Sequence, residues 1–302
     1  MESMKYVIGV DCGGTKTEAS AYTITDGELL ETTTTGFGNL VVDYSKAVAN
    51  IRQAVDILLQ TLGAGDCQMI VMGIAGIDSG GFKQKMAEEF SYLPVNPVFL
   101  NDAQLALYAI LKGQDGVVVT AGTGSIMLGL VDNHWYRAGG WGHILGDEGS
   151  GFDIAKKAIQ HVLHEYDSGE ETSAFSKEIL TFFDADDVFS LAKKVYQVDK
   201  GEIASAAQQI GTLATDYSQA QIILETAGET LAKKTLQLIN KAPLAGKPIS
   251  IGLNGSVIQK NERVLEAFTR YLDNCQLPYD LHKKEASSAK GAYYIYKGEQ
   301  KL

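Results

Sequence analysis

The chain has 302 residues, of which 45% are hydrophobic and 21% charged, as in ordinary globular proteins. Its 26 basic and 37 acidic residues give a formal net charge of −11, which argues against nucleic acid or an anionic membrane as a partner. No apolar run is long enough to span a membrane, and three widely spaced cysteines fit a reduced protein, so we expect a cytoplasmic location.

The first 35 residues predict three antiparallel strands, at 5–11, 17–24 and 28–35, joined by the tight turns GGTK and TDGE. The stretch from Gly9, GVDCGGTK, resembles a P-loop with its last two letters transposed. In a P-loop the glycine-rich loop connects a strand to a helix, whereas the residues after Lys16 predict a second strand. The P-loop is therefore rejected, and a different phosphate cradle and a plain glycine turn both stay open.

Helical and strand patterns then alternate, which favours parallel pairing and an α/β fold. The predicted segments are a helix at 44–62, a strand at 67–77, a helix at 82–93, a strand at 97–100 and a helix at 101–113.

Residues 116–140 repeat the opening order of strand, glycine turn, strand, polar turn and strand, about 110 residues later. This order predicts an internal structural repeat with two similar halves, the alternative being two unrelated hairpins.

The remaining chain predicts mainly helices at 152–240, then a strand at 247–253 and a helix at 257–274. We expect an N-terminal domain of residues 1–115 and a C-terminal domain of residues 116–302 that carries the helical insertion, with the final helix packing back on the first domain.

Three glycine turns each follow an apolar strand, at 11–16, 120–125 and 252–256. Glycine lets backbone N–H groups approach a phosphate closely, and Thr or Ser adds a hydroxyl donor. One such turn is weak evidence, but three in one chain favour a nucleotide. Lys16 is equally well explained as a γ-phosphate contact and as a solvated turn lysine.

Two carboxylates end predicted strands. Asp11 could orient hydrated Mg²⁺, and Asp102 could take the proton of an attacking hydroxyl. For Asp102, a simple helix-capping role is an equal alternative.

The densest polar stretch is AGGWGHILGDEGSGFDIAKKA at 138–158, with Trp141, His143, Asp147 and Glu148 among glycines. An aromatic face beside hydrogen-bonding groups suits a sugar-like ligand; a charged loop with one buried Trp is the alternative. His161, His164 and Glu165 imitate a metal site, but no second ligand cluster supports one, and we expect a solvated helix face.

Together these segments resemble the superfamily of sugar kinases, actin and heat-shock ATPases, and within it the N-acetylglucosamine kinases and the BadF/BadG/BcrA/BcrD ATPase family. The resemblance rests on GVDCGGTKTE, NDA at 101–103, TAGTGS, GGWGHILGDEGS and GLNGS, and it spans nearly the whole chain.

The resemblance implies an α/β protein of two ribonuclease-H-like (actin-like ATPase) lobes with a central cleft for ATP and Mg²⁺, the second lobe being enlarged by helices. It implies a kinase that phosphorylates the 6-hydroxyl of an amino sugar, N-acetylglucosamine first, with glucosamine and N-acetylmuramate close behind. Apolar surface on the helical insertion and the Tyr-rich C-terminus would suit a homodimer.

The resemblance also assigns roles to individual residues. Asp102 is the general base and also contacts the sugar, while Asp11 keeps the role of metal ligand that its position at the end of a predicted strand suggests. The implied nucleotide ligands are Gly13, Gly14, Thr15, Lys16, Gly122, Thr123, Gly124, Gly255 and Ser256. The other implied sugar ligands are Asn39, Gly140, Trp141 and Asp147, with residues 75–78 near Asn39.

Three other functions compete with this one. An activator ATPase of 2-hydroxyacyl-CoA dehydratases needs cysteines placed for an iron–sulfur cluster, which Cys12, Cys67 and Cys275 do not offer. A sugar-sensing repressor needs a DNA-binding segment and a zinc cysteine cluster, neither of which the pattern predicts. A nucleotide switch of the actin kind is disfavoured by Asp102 and the 138–151 loop.

Overall fold

The computed structural model describes residues 4–78, 81–244 and 248–300. The strands are β1 (Tyr6–Cys12), β2 (Thr17–Thr23), β3 (Leu29–Thr35), β4 (Cys67–Ile74), β5 (Val98–Leu100), β6 (Gly116–Ala121), β7 (Ser125–Val131), β8 (His134–Gly139), β9 (Ile249–Asn254) and β10 (Tyr279–Lys283). The helices are α1 (Tyr44–Leu62), α2 (Phe82–Glu89), α3 (Asp102–Ile110), α4 (Gly151–Asp167), α5 (Ala174–Phe182), α6 (Val188–Val195), α7 (Lys200–Leu213), α8 (Ser218–Ile239), α9 (Ser256–Lys260), α10 (Glu262–Asn274) and α11 (Gly291–Glu299).

The chain divides into two compact units. The first unit comprises Met1–Val118 with His282–Leu302, and the second comprises Val119–Leu281. Among the described residues, no helix combines the length and the apolar character that crossing a membrane requires.

The sheet of the first unit has the strand order β3-β2-β1-β4-β5. β1 pairs antiparallel with β2, from Tyr6 opposite Thr23 to Cys12 opposite Thr17, and β2 pairs antiparallel with β3. These pairings confirm the three predicted antiparallel strands, and β2 starts directly after Lys16, so the chain has no P-loop helix there. β1–β4 and β4–β5 are parallel, as the alternation of helices and strands predicted.

The two faces of β1 pack against different helices. Tyr6, Ile8 and Val10 belong to a core with α1, whereas Val7 packs with Leu105 of α3 and with the C-terminal segment. A Cβ on Gly9 would lie 1.8 Å from the backbone oxygen of Ala289. The first glycine of the apparent P-loop pattern therefore allows close packing of the 3-10 turn at Ser288–Lys290 against β1.

The second sheet has the order β10-β9-β6-β7-β8. Read from its other edge, the order is β8-β7-β6-β9-β10, which matches the order β3-β2-β1-β4-β5 of the first sheet strand for strand. This shared order confirms the predicted structural repeat. Helices α4 to α8 separate β8 from β9 in the chain, as the helical pattern of residues 152–240 predicted.

Three predicted helices have different bounds. The helix expected at 101–113 spans Asp102–Ile110. The helix expected at 82–93 ends at Glu89. The single helix expected at 257–274 is wrong, because Asn261 has an extended backbone and its side chain accepts a hydrogen bond from the N–H of Val264, capping α10. The strand predicted from residue 247 is described from Ile249, and Lys247 lies outside the described residues.

Candidate active site

Asp102 is the first residue of α3, and only Asn101 separates it from the end of β5. The side chain of Asn101 accepts a hydrogen bond from the N–H of Gln104 at 2.8 Å, and the side chain of Gln104 accepts one from the N–H of Asn101 at 3.0 Å. Asn101 thus forms a capping box and is the N-cap of α3. The alternative that Asp102 is the N-cap is therefore wrong, although one of its oxygens accepts the N–H of Ala103 at 3.0 Å.

The Asp102 carboxyl binds a proton more tightly than usual. Burial and then the negative charge of Asp11 raise its pKa to about 6, and the charge of Asp78 adds to this effect. Asp78 accepts a hydrogen bond from the side-chain amide of Asn101 at 2.8 Å and pairs with Lys83 at 3.0 Å. A carboxylate with this pKa is deprotonated at neutral pH and basic enough to take a proton.

Asp11 lies within β1 and is half-buried. Its carboxylate is 4.0 Å from the ammonium of Lys284, which donates a hydrogen bond to the hydroxyl of Ser288 at 2.7 Å. Burial raises the pKa of Asp11, and the charge of Lys284 opposes that rise.

The first glycine turn, between β1 and β2, has an internal backbone hydrogen bond and is exposed to solvent. The N–H of Gly13 donates to the oxygen of Lys16 at 3.0 Å. Gly14, Thr15 and Lys16 are exposed, and the ammonium of Lys16 pairs with Glu18 at 2.7 Å. The backbone of this turn is thus accessible to a ligand, while the Lys16 side chain has a partner of its own.

Asn39 lies beside the turn that follows β4. Its side-chain oxygen accepts the N–H of Val41 at 3.0 Å, and the N–H of Leu40 donates to the oxygen of Ala75 at 3.2 Å. A Cβ on Gly76 would lie 3.1 Å from the Asn39 oxygen. The expected proximity of Asn39 to residues 75–78 is confirmed.

In the second unit, three chain segments meet at the turn of Gly122, Thr123 and Gly124. The N–H of Gly122 donates to the oxygen of Gly124 at 2.9 Å, and the N–H of Gly151 donates to the oxygen of Gly122 at 2.8 Å. Gly255 has a φ of +91°, and a Cβ there would lie 2.4 Å from the oxygen of Ala121. The predicted glycine turns after β6 and β9 are therefore in contact.

A cavity of about 720 Å³ opens beside this turn. Gly122, Thr123 and Ser256 line it, as do residues of α7, α9 and α10, among them Gly201, Ala204, Gln208, Gly211, Lys260 and Arg263. The sequence interpretation missed the α7 side of this cavity. The available signal was the small residues recurring at helical spacing between positions 201 and 215, which is equally typical of helix packing.

The loop between β8 and α4 exposes an aromatic surface. Trp141 is 63% exposed, and the guanidinium of Arg137 lies 4.4 Å from the centre of its ring. Gly140 has a φ of +73°, and a Cβ there would lie 2.7 Å from the side chain of Ile126. The alternative of a charged loop with one buried Trp is therefore wrong, because the Trp141 side chain is largely exposed, with Arg137 over its ring.

Asp147, by contrast, is 4% exposed. Its carboxylate pairs with the ammonium of Lys200 at 2.6 Å and accepts the N–H of Ser125 at 3.3 Å. Next to it, Glu148 pairs with Lys234 of α8 at 2.9 Å. Any contact of Asp147 with a sugar would have to share oxygens that already have partners.

The helix face with the two histidines differs from the expectation. His164 is exposed, but Glu165 is buried, pairs with His161 at 3.0 Å and accepts the N–H of Ser173, the N-cap of α5. The described residues contain no cluster of three or more His, Cys, Asp or Glu side chains that could hold a metal. Cys12 and Cys67 are buried and Cys275 is exposed.

The chain is similar over almost its whole length to one curated amino-sugar kinase and over a little more than half of its length to another. It is 30% identical to the N-acetylmuramic acid/N-acetylglucosamine kinase of Clostridium acetobutylicum, with 98% of this chain and 99% of that protein covered. It is 33% identical to the N-acetyl-D-glucosamine kinase of Dictyostelium discoideum, over 57% of this chain and 58% of that protein.

Solved structures share the fold. A candidate N-acetylglucosamine kinase from Chromobacterium violaceum superposes with a TM-score of 0.77 at 24% identity, covering 97% of this chain and 99% of that one. A ROK-family glucokinase from Streptomyces griseus, solved with glucose and AMPPNP, has a TM-score of 0.58 at 16% identity, covering 98% and 100%. The protein is therefore an α/β protein with the two-lobed fold of these kinases. The sequence profile of the BadF/BadG/BcrA/BcrD ATPase family matches residues 8–293, and the chain belongs to this family.

Proposed function

We propose that the protein is an ATP-dependent kinase that phosphorylates the 6-hydroxyl of an amino sugar, with N-acetylglucosamine as the first candidate. The observation that carries this proposal is Asp102, a half-buried carboxylate at the start of α3 whose pKa is raised to about 6. The similarity of the whole chain to amino-sugar kinases supports the same assignment.

Asp102 acts as the general base. At neutral pH its carboxylate is deprotonated, and it accepts the proton of the sugar hydroxyl as that oxygen attacks the terminal phosphorus of ATP. The hydroxyl oxygen forms a bond to phosphorus, and the bond from phosphorus to the leaving ADP oxygen breaks. The capping box of Asn101 and Gln104 fixes the start of α3 and so holds Asp102 in place.

The nucleotide occupies the second unit in this proposal. The cavity beside α7 is large enough for a base and a ribose, with Gly255 and Ser256 beside the adenosine. The turn of Gly122, Thr123 and Gly124 continues from the cavity wall and would bind the phosphates through its backbone. The turn of Gly13, Gly14, Thr15 and Lys16 is proposed as the corresponding phosphate contact in the first unit.

Asp11 fits the role of a Mg²⁺ ligand. It is a half-buried carboxylate whose pKa is raised by burial, so a cation nearby would stabilise its charged form. Mg²⁺ commonly uses one or two carboxylates, several waters and substrate phosphates, so a single carboxylate of the chain can serve as its protein ligand. When bound, the ion would neutralise phosphate charge.

The sugar is assigned to Asn39 and Asp102 of the first unit and to Gly140 and Trp141 of the second. Asp147 would contact it only through an oxygen that already accepts a hydrogen bond from Lys200 or Ser125. The exposed ring of Trp141 offers a face on which a pyranose can stack. N-acetylglucosamine is the first candidate because the relatives from Clostridium acetobutylicum and Dictyostelium discoideum are both named for it. N-acetylmuramate follows closely, because the Clostridium relative is named for that sugar as well, and glucosamine is the third candidate.

A substrate panel tests the proposal. ADP release is measured with Mg²⁺ and ATP in the presence of N-acetylglucosamine, glucosamine, N-acetylmuramate, glucose or no sugar. We expect turnover that depends on an amino sugar, with the phosphate on the 6-hydroxyl by NMR of the product. N-acetylglucosamine lacking the 6-hydroxyl is the matched control and should give no stimulation. ATP hydrolysis that is the same with and without every sugar would contradict a kinase.

A further inference from the structure

Lys200 begins α7 immediately after its N-cap, Asp199. Its ammonium lies 2.6 Å from the carboxylate of Asp147. It also lies 3.0 Å from the point that a Cβ on Gly124 would occupy. A positive charge is therefore held directly against the last residue of the Gly122–Gly124 turn.

Lys200 lies next to the residues that line the cavity. Gly122 and Thr123 line the cavity, and so does Gly201, the neighbour of Lys200 in the chain. Gly124 follows Thr123 in the turn, and Lys200 precedes Gly201 in α7. A chain of phosphates leaving the cavity along this turn would therefore reach the Lys200 ammonium.

Asp147 explains how the ammonium is held in place. Its side chain is 5% exposed, while that of Lys200 is 31% exposed, so the lysine keeps an accessible side. Asp147 also accepts the N–H of Ser125 and thereby ties the ammonium to the end of the turn. The ammonium has three donors, of which the Asp147 bond uses one.

We propose that Lys200 binds the phosphates of the nucleotide and that Asp147 is the positioning residue that holds its ammonium against the turn. This inference rests on the proposed nucleotide site of the second unit. In the sequence analysis, one alternative for Lys16 was a contact with the γ-phosphate. The present proposal gives the lysine–phosphate contact to Lys200 instead.

The test compares a ligand with phosphates and one without. Dissociation constants for ADP and adenosine are measured by calorimetry for the intact wild-type protein, Lys200→Met and Lys200→Arg. A charged hydrogen bond to phosphate predicts about 10- to 100-fold weaker ADP binding by Lys200→Met, unchanged adenosine binding, and partial recovery in Lys200→Arg. Lys194→Met is the matched control, because Lys194 pairs with Asp184 at 3.3 Å in an exposed ion pair.

Each result decides between the proposals. If wild type binds ADP and Lys200→Met, with an unchanged melting temperature, binds it equally well, the Lys200 assignment is wrong and the kinase proposal stands. If Lys200→Met weakens ADP and adenosine equally, Lys200 only supports the structure of the turn. Failure of the wild-type protein to bind ADP at all would overturn the nucleotide site and this inference together.

Discussion

Asp11 and Asp102 interact electrostatically: after burial, the charge of Asp11 is the main cause that raises the pKa of Asp102 to about 6. Asp11 is the penultimate residue of β1 and Asp102 is the first residue of α3, and the first sheet brings these elements, far apart in the sequence, to the same end of its parallel strands. The pair matters for function because one carboxylate sets the proton affinity of the proposed base.

The first prediction concerns the pH dependence of catalysis. Because Asp102 must be deprotonated to act as a base, kcat/KM should rise about tenfold per pH unit below pH 6 and level off above it. Asp78→Asn removes a charge that raises this pKa, so the midpoint should move to lower pH. Asp186→Asn, an exposed control, should leave it unchanged. A rate that is flat from pH 5 to 7 in the wild type would contradict the base assignment.

The second prediction concerns stability. Between the unfolded pKa of about 3.9 and the folded pKa of about 6, the folded state binds more protons at Asp102 than the unfolded state does. Asp102 should therefore make the free energy of unfolding fall as pH rises through this window. In denaturant unfolding, the free energy of unfolding should fall less between pH 4 and pH 7 in Asp102→Asn than in the wild type. An identical pH dependence in the two proteins would show that the pKa is not raised.

The third prediction concerns turnover. Asp102→Asn removes the proton acceptor but keeps the shape of the side chain, so sugar-dependent ADP release should fall about 10²- to 10⁴-fold. ADP affinity, measured by calorimetry, should stay within about twofold, because the proposed nucleotide cavity belongs to the second unit. The exposed Asp186→Asn variant again serves as the control. Unchanged turnover in Asp102→Asn would remove this residue from the mechanism.

Short sequence patterns predicted the turns and strands whose formation depends on residues close together in the chain. The glycine turn before Thr17 and the β-branched strands around it predicted the first hairpin, and the repeated pattern predicted two similar halves, which the matching strand orders confirm. The burial of Asp147 could not be predicted in this way, because it depends on Lys200, 53 residues further along the chain. The break at Asn261 was missed because apolar residues continue on both sides, although Asn before Glu is a capping signal.

The fourth prediction separates sugar binding from folding at Trp141. The ring is 63% exposed, so Trp141→Ala should change the melting temperature little. Loss of a stacking face should raise the KM for the sugar about 5- to 30-fold and leave the KM for ATP unchanged. Trp135→Ala, which removes the other tryptophan, in β8, is the matched control. If both variants change the sugar KM equally, Trp141 has no specific role in binding.

The fifth prediction concerns the contact between the turns after β6 and β9. Gly255 has φ +91° and ψ 154°, a conformation that is almost restricted to glycine. A Cβ there would lie 2.4 Å from the oxygen of Ala121 and 3.0 Å from the nitrogen of Gly122. Gly255→Ala should therefore lower the free energy of unfolding by about 1–3 kcal/mol and weaken ADP binding. Gly65→Ala should change stability by less than about 0.5 kcal/mol, because a Cβ there meets no atom within 4 Å. Equal stability of the two variants would mean that the turns do not pack as closely as described.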